Sequence, residues 1–330
     1  MFEARGQGLL IGIFGGRIMN RNYRAILFGN GTMGNRHRIF FEQSGVQFLK
    51  IIDLADLNQD GTLRESVINE YLNHEKVDFA VIASPASTHY QYANLCLERK
   101  IPVFVEKPLA TSGKCAQALV DLAVHDNVTL FVAQSECFNP VFLNFRKHFM
   151  AELKLLYEKI RNGAADSVET PVRLEFRREH RFTERCRDVN VALDLMVHDL
   201  SLCLSMFSYE DLKVTDFSLS KNDDRAQMQI QVVKGEFMGT SLSFIVDRNS
   251  NLDMRTVSVE YAHFAGCPSS NYSVSLARYD ENGEVLHLSD SLENEHKFFL
   301  KLMANACSEW GHRAAQCAAN AVKLATLPQL

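Results

Sequence analysis

At 330 residues the chain is longer than one small core usually organises, so two domains or one large α/β unit are expected. A hydrophobic share of 46% and a charged share of 23% are ordinary for a soluble globular protein with ample core material. A formal net charge of −5 gives no electrostatic attraction to nucleic acid or to an anionic membrane, and neither is expected as a partner.

The chain opens on "GQGLLIGIFGG", whose apolar stretch is too short to span a bilayer and lacks the flanks of a signal peptide. Gly6, Gly8 and Gly12 imitate a phosphate loop, but no strand precedes them. Met19 begins "MNRNYRAILFGNG", a plausible complete start, so residues 1–18 read as an extension or disordered tail, and residues 1–22 are set apart from the folded domains. The eight cysteines are scattered without a C-x-x-C pair, which points to reduced thiols in a cytoplasmic protein.

From residue 24, strand and helix alternate. "RAILFG", "VQFLKIID", "VDFAVIAS", "IPVFVE" and "VTLFVAQ" read as strands, separated by the helical "TMGNRHRIFFEQ", "TLRESVINEYLNH", "THYQYANLCLERK" and "GKCAQALVDLAVHD". Short strands apolar on both faces and spaced by helices predict a parallel sheet with helices over it. Residues 23–138 are therefore assigned to a doubly wound α/β Rossmann domain. Beyond it, 140–161 reads as a long helix, "ETPVRLEFRRE" as a strand and 191–204 as a buried helix. Residues 211–290 hold extended runs with short turn-like connections, and 292–325 return to helix. Residues 139–330 are thus expected to form an α+β domain with a large, mostly antiparallel sheet, serving substrate binding and oligomerisation. One face of that sheet needs a cover and few helices remain, the reason to expect a homodimer or homotetramer.

"LFGNGTMGNRHR" spaces Gly29, Gly31 and Gly34 as G-x-G-x-x-G between a strand and a helix. In that setting Gly29 permits a tight turn, Gly31 lets the backbone approach a pyrophosphate, and Gly34 lets the helix pack closely on the strand. The helix amino end supplies unpaired N–H groups to the anion. Asp53 ends the second strand about 20 residues on, where a carboxylate accepts ribose hydroxyls and repels a 2′-phosphate, favouring NAD over NADP. Asp53 could instead cap a turn, and Asp56 stands close enough to take the ribose role.

Four stretches, "FGNGTMGNRH", "VIASPASTHYQYANLCLE", "FVEKPLATS" and "LDLMVHDLSL", occur in the order found in the Gfo/Idh/MocA oxidoreductases, and the chain resembles that family. The resemblance implies cofactor contacts from Gly29, Gly31, Thr32, Met33, Gly34, Asp53, Ser84, Pro85, His89, Glu106 and Lys107. It places Lys107 beside the nicotinamide and the reacting carbon, with Asp194 and His198 facing it as the Asp-x-x-x-His pair. The family often has the proline after this lysine in cis. His89 sits at a strand-to-helix turn and could equally cap or pack.

The physics of these residues agrees. Lys107 follows a strand ending at the carboxyl edge of the parallel sheet, and Pro108 biases it away from helix. Asp194 and His198 lie four apart in "VALDLMVHDLSLCL", on one face of a helix apolar nearly all round. Burying such groups unpaired costs on the order of 1–3 kcal/mol each, which a polar cleft would relieve. They could also bond each other structurally, or form half of a metal site, but no third ligand stands at a suitable spacing and no metal is expected.

The implied reaction oxidises a secondary alcohol on a sugar-like substrate. A hydride leaves for NAD, His198 takes the hydroxyl proton, Lys107 stabilises the alkoxide and Asp194 orients the hydroxyl or the imidazole. "RFTERCRDVNVALDLMVHDLSL" and "AQSECFNPVF" resemble the branch oxidising the 3-hydroxyl of UDP-N-acetylglucosamine. That branch more often has Arg at Cys137 and Gly-Pro at His180-Arg181, which leaves the substrate open. Asn139 and Arg185 are candidates for substrate contact, or equally a helix cap and an ion-pair member. A polyol dehydrogenase or reductase of the same fold, and a non-catalytic dinucleotide-binding regulator, stay open as alternatives.

Overall fold

A computed structural model of the chain describes residues 22–74, 76–163, 171–183, 187–262, 270–276, 289–305 and 308–327. The chain divides into two compact units, one reaching to Gln134 and including Leu292–Lys323, the other comprising Ser135–Ser291 and the residues from Leu324 on. The expected tail, residues 1–22, falls almost wholly outside the described residues. Among the described residues no helix is long and apolar enough to cross a membrane.

In the first unit β1 (Arg24–Phe28), β2 (Gln47–Ile52), β3 (Phe79–Ile82), β4 (Val103–Glu106) and β5 (Leu130–Ala133) form a sheet in the order β2-β1-β3-β4-β5. Every pairing is parallel. All four residues of β3, β4 and β5 are buried, as strands covered on both faces require. The connections carry α1 (Thr32–Gln43), α2 (Glu65–Val67), α3 (His89–Leu97) and α4 (Gly113–His125). The segment expected as one helix at residues 62–74 is mostly π-helical, over Ile68–His74. Chain direction across the sheet reverses between β1 and β3, the switch point at which open α/β sheets bind ligands.

The second unit begins with α5 (Pro140–Arg161), which buries Phe142, Phe145, Phe149, Leu153, Leu156 and Tyr157 at helical spacing. Next come β6 (Val172–Glu179), a π-helical turn at Ala192–Met196 and α6 (Val197–Leu204). The strands β7 (Leu212–Leu219), β8 (Arg225–Val232), β9 (Ser241–Asp247), β10 (Met254–Tyr261) and β11 (Ser270–Ser275) complete a six-stranded sheet in the order β11-β10-β6-β9-β8-β7. Its pairings are antiparallel except for the parallel β6–β9 pair. Alternation sends Leu174, Phe176, Met228, Ile230, Leu242, Phe244 and Val257 to the buried face. The opposite face carries Glu175, Gln229, Ser241, Ser243 and Ser258. That face is largely polar.

The carboxyl-terminal helices α7 (Ser289–Ala304) and α8 (Ser308–Ala325) correct the expected boundary, because Leu292–Lys323 belongs to the first unit rather than to a domain running from 139 to 330. The cause is an aromatic surface. Phe79, Phe104 and Phe131, one from each of three adjacent strands, meet the Phe299 ring at 5.0, 5.2 and 5.6 Å between centroids. Glycine allows close approach on α8 too, since a Cβ at Gly311 would lie 3.1 Å from the Thr129 side chain.

Candidate active site

Register brings the first group of candidates level. Phe28 pairs with both Ile52 and Ile82, and Ile82 pairs with Val105. The residues that follow, Gly29, Asp53, the Ser84–Pro85 turn and Glu106–Lys107, therefore share one carboxyl edge of the sheet. Gly29 has φ +91°, and a Cβ there would sit 2.7 Å from the Ser84 backbone. Gly34 lies so close to the loop that a Cβ would fall 2.0 Å from the Gly29 carbonyl oxygen, whereas one at Gly31 would meet nothing within 4 Å. Gly29 thus makes the tight turn and Gly34 packs closely on the loop. Gly31 caps α1 without a side-chain bond, so the first-turn N–H groups around exposed Thr32 and half-buried Met33 remain available to an anion.

Asp53 is exposed and does cap a turn, its Oδ1 accepting from the Leu54 N–H at 2.8 Å. Asp56 is occupied elsewhere. Its Oδ2 accepts from the Asp53 N–H at 3.0 Å and its Oδ1 pairs with Lys50 at 2.8 Å.

Ser84 bonds Thr88 through its hydroxyl at 2.7 Å. Buried His89 ties two of the loops together, with Nδ1 2.7 Å from the Pro108 carbonyl and Nε2 2.9 Å from the Ser84 carbonyl. Both contacts are to backbone, so its visible work is packing two loops against each other. Lys107 is half-buried, and the Lys107–Pro108 peptide is cis. Glu106 Oε2 accepts from the Lys107 N–H at 3.1 Å, and Oε1 lies 2.7 Å from His37 Nε2.

In the second unit Asp194 lies on the π-helical turn and half-buried His198 on α6, so the single α-helix expected over 191–204 is corrected to a π-to-α transition. Such turns are frequent at functional sites. Asp194 Oδ2 stands 3.7 Å from the buried Arg248 Nη1. Arg248 is itself held by Asp224 at 2.9 Å and the Val189 carbonyl at 2.9 Å. Asp199, next to His198, anchors α6: Arg178 donates to its carboxylate at 2.8 Å from Nη2 and at 3.2 and 3.3 Å from Nε. Arg178 Nη1 and Arg255 Nη1 both reach Glu136 Oε1, at 2.9 and 3.0 Å. Two cations thus face two anions, and although burial opposes the charge on Arg178, Asp199 and Glu136 raise its pKa above the ordinary value.

Asn139 is a helix cap: Oδ1 accepts from the Val141 N–H at 3.0 Å, and Nδ2 donates to the Leu276 carbonyl at 3.0 Å and to Glu136 at 3.3 Å. Its polar atoms are committed internally, so its assignment to substrate is withdrawn. Arg185 lies outside the described residues. The sequence reading missed His37, His296, Arg178, Asp199 and Arg248. A usable signal existed for one of them, because Gly34, His37 and Phe41 repeat at helical spacing on the buried face of α1.

Residues 24–134 match the GFO_IDH_MocA model, an oxidoreductase family with an NAD-binding Rossmann fold. UDP-N-acetylglucosamine 3-dehydrogenase of Acidithiobacillus ferrooxidans is similar to this chain, 26% identical over 153 residues that cover 46% of the chain and 43% of the relative. Inositol 2-dehydrogenase of Rubrobacter xylanophilus is 31% identical over 104 residues, 29% of the chain and 30% of the relative. The chain thus matches less than half the length of these relatives in sequence. In structure the A. ferrooxidans enzyme aligns over 92% of the chain and 98% of its own, at 20% identity and TM-score 0.62. GenD2 from gentamicin A biosynthesis, solved in complex with NAD, aligns over 92% of both chains at 19% identity and TM-score 0.64. At such identities the structural likeness establishes the fold of both units.

Proposed function

We propose that the protein is an NAD-dependent oxidoreductase moving a hydride between nicotinamide and a secondary alcohol of a sugar or sugar nucleotide. The observation that carries this reading is the level carboxyl edge of the parallel sheet, where the glycine cradle, Asp53 and Lys107 lie side by side. The residues fit a dinucleotide. Gly29 and Gly34 occupy spaces a Cβ would fill, Gly31 opens on clear space, α1 presents uncapped N–H groups, and exposed Asp53 suits an unphosphorylated ribose. Lys50, a nearby cation, is committed to Asp56, which favours NAD over NADP.

Bound nicotinamide dinucleotide supplies the hydride acceptor. Lys107 donates to the substrate oxygen and stabilises the negative charge that grows there as the C–H bond breaks. His198 takes the hydroxyl proton, and Asp194 accepts a hydrogen bond that orients the hydroxyl or the imidazole. The UDP-N-acetylglucosamine 3-dehydrogenase relative favours a sugar nucleotide as substrate, and the inositol 2-dehydrogenase relative supports a free polyol as the second reading.

Fluorescence titration with NADH, together with a turnover screen on UDP-sugars and polyols, tests the proposal. Lys107→Ala and His198→Ala are each expected to keep NADH affinity and to lower kcat at least about a hundredfold. Unchanged turnover in either variant removes that residue from the chemistry. NADH binding without turnover on any substrate identifies a dinucleotide-binding regulator instead.

A further inference from the structure

Behind Lys107, inside the first unit, lies a buried chain of hydrogen bonds that the proposed reaction does not use. It starts at the Leu292 carbonyl, 2.5 Å from His296 Nδ1. His296 Nε2 is 2.9 Å from His37 Nδ1, and His37 Nε2 is 2.7 Å from Glu106 Oε1. Both imidazoles are at most 2% exposed. The rings of Phe40 and Phe104 stack on His296, and Phe41 packs edge-on against it.

The proton positions follow from the acceptors. A carbonyl only accepts, so His296 carries its proton on Nδ1. Burial, and then the neighbouring His37, hold the His296 pKa down to about 3, so the ring is neutral and its Nε2 is a bare acceptor. His37 must therefore donate from Nδ1. Its Nε2 then faces a carboxylate oxygen at 2.7 Å, and that contact requires one further proton. Burial pushes the Glu106 pKa up, but the hydrogen bond and charge of His37, with Lys107 and His89 adding to them, bring it below the ordinary carboxylate value. The proton accordingly resides on His37.

A second carboxyl lies close by. Glu295, beside His296 on α7, is fully buried. Burial and the charge of Glu106 push its pKa well above the usual range, so it stays a neutral acid. The cluster is neutral overall, with one imidazolium and one carboxylate in contact.

We propose that His37 and His296 are positioning residues: they hold Glu106 as a fixed carboxylate, and Glu106 in turn holds the backbone of Lys107. The chain links the carboxyl-terminal helix α7 to the loop that presents Lys107. The catalytic consequence rests on the proposed role of Lys107, whereas the proton assignment stands independently of it.

Two arms of one experiment separate these claims. The full chain is labelled with ¹⁵N-histidine and its ring nitrogens are followed by NMR from pH 5 to 9, in the wild type and in Glu106→Gln, His37→Gln and His296→Gln. In the wild type a doubly protonated ring that is absent from His37→Gln is expected. One neutral Nδ1–H ring is expected to vanish in His296→Gln. In Glu106→Gln an amide N–H replaces the missing acceptor and donates to His37 Nε2, so the His37 ring turns neutral. A purely structural role would not change that protonation state. A His37 ring that is neutral in the wild type, or indifferent to Glu106→Gln, overturns the proton assignment. In the second arm Glu106→Gln should lower kcat tenfold or more, and an unaltered kcat overturns the positioning role. A wild type that binds NADH but turns over no substrate defeats the oxidoreductase reading and leaves the NMR result to decide the proton chain.

Discussion

Gly34→Ala sets two known effects against each other. In a helix interior alanine is favoured over glycine by about 0.8–1.0 kcal/mol. Here, however, the new Cβ would lie 2.0 Å from the Gly29 carbonyl oxygen and 3.0 Å from its carbon. Side-chain carbons pack against such atoms no closer than about 3 Å, so helix or loop must move by roughly 1 Å. The obstacle is backbone and cannot rotate away, which puts the strain at about 2–3 kcal/mol, the upper part of the overpacking range. Strain wins by about 1–2 kcal/mol. For a folding unit of this size, that corresponds to a fall in Tm of roughly 2–8 °C. Thermal unfolding followed by circular dichroism or calorimetry measures it. Gly31→Ala is the internal control, because φ −75° suits alanine and a Cβ there meets nothing within 4 Å. Its Tm should stay within about 1–2 °C of wild type, while its methyl group, standing where a pyrophosphate approaches, weakens NADH binding by about tenfold, or 1.4 kcal/mol. A Gly34→Ala protein as stable as wild type would refute the packing role. A Gly31→Ala protein that binds NADH normally would refute the cradle.

Arg178→Met strips a buried guanidinium from Glu136 and Asp199, and urea denaturation should show a loss of about 3–5 kcal/mol. Adding Glu136→Gln and Asp199→Asn, which neutralise the stranded anions, should restore much of it. Acid should act through His296. Its folded pKa is depressed from 6.5 to about 3, so the unfolded chain binds a proton that the folded one refuses. The stability this group contributes is complete above about pH 6.5 and declines toward pH 3 at up to about 1.4 kcal/mol per pH unit. Urea midpoints measured across that window should fall less steeply for His296→Phe, and equal slopes would contradict a buried neutral ring.

Much of the candidate site was legible because it is local. The G-x-G-x-x-G spacing, the carboxylate after the second strand and the lysine before a proline each act through a loop directly joined to its strand. Parallel pairing then brings the loops level. The π-helical turn at Ala192–Met196 was not legible, since apolar residues all round the helix mask any change in its pitch.

What the sequence by itself determined is the alternation of strands and helices, the glycine loop and the residue types available for chemistry, because these depend on periodicity and short spacing. Tertiary structure alone decided that α7 returns to cover the first sheet and that His37 meets Glu106 and His296, which are 69 and 259 positions away. It also decided that Asn139 serves as a cap. The physical reason is that a buried polar group is satisfied by whatever partner folding brings within about 3 Å, and no spacing along the chain encodes that distance.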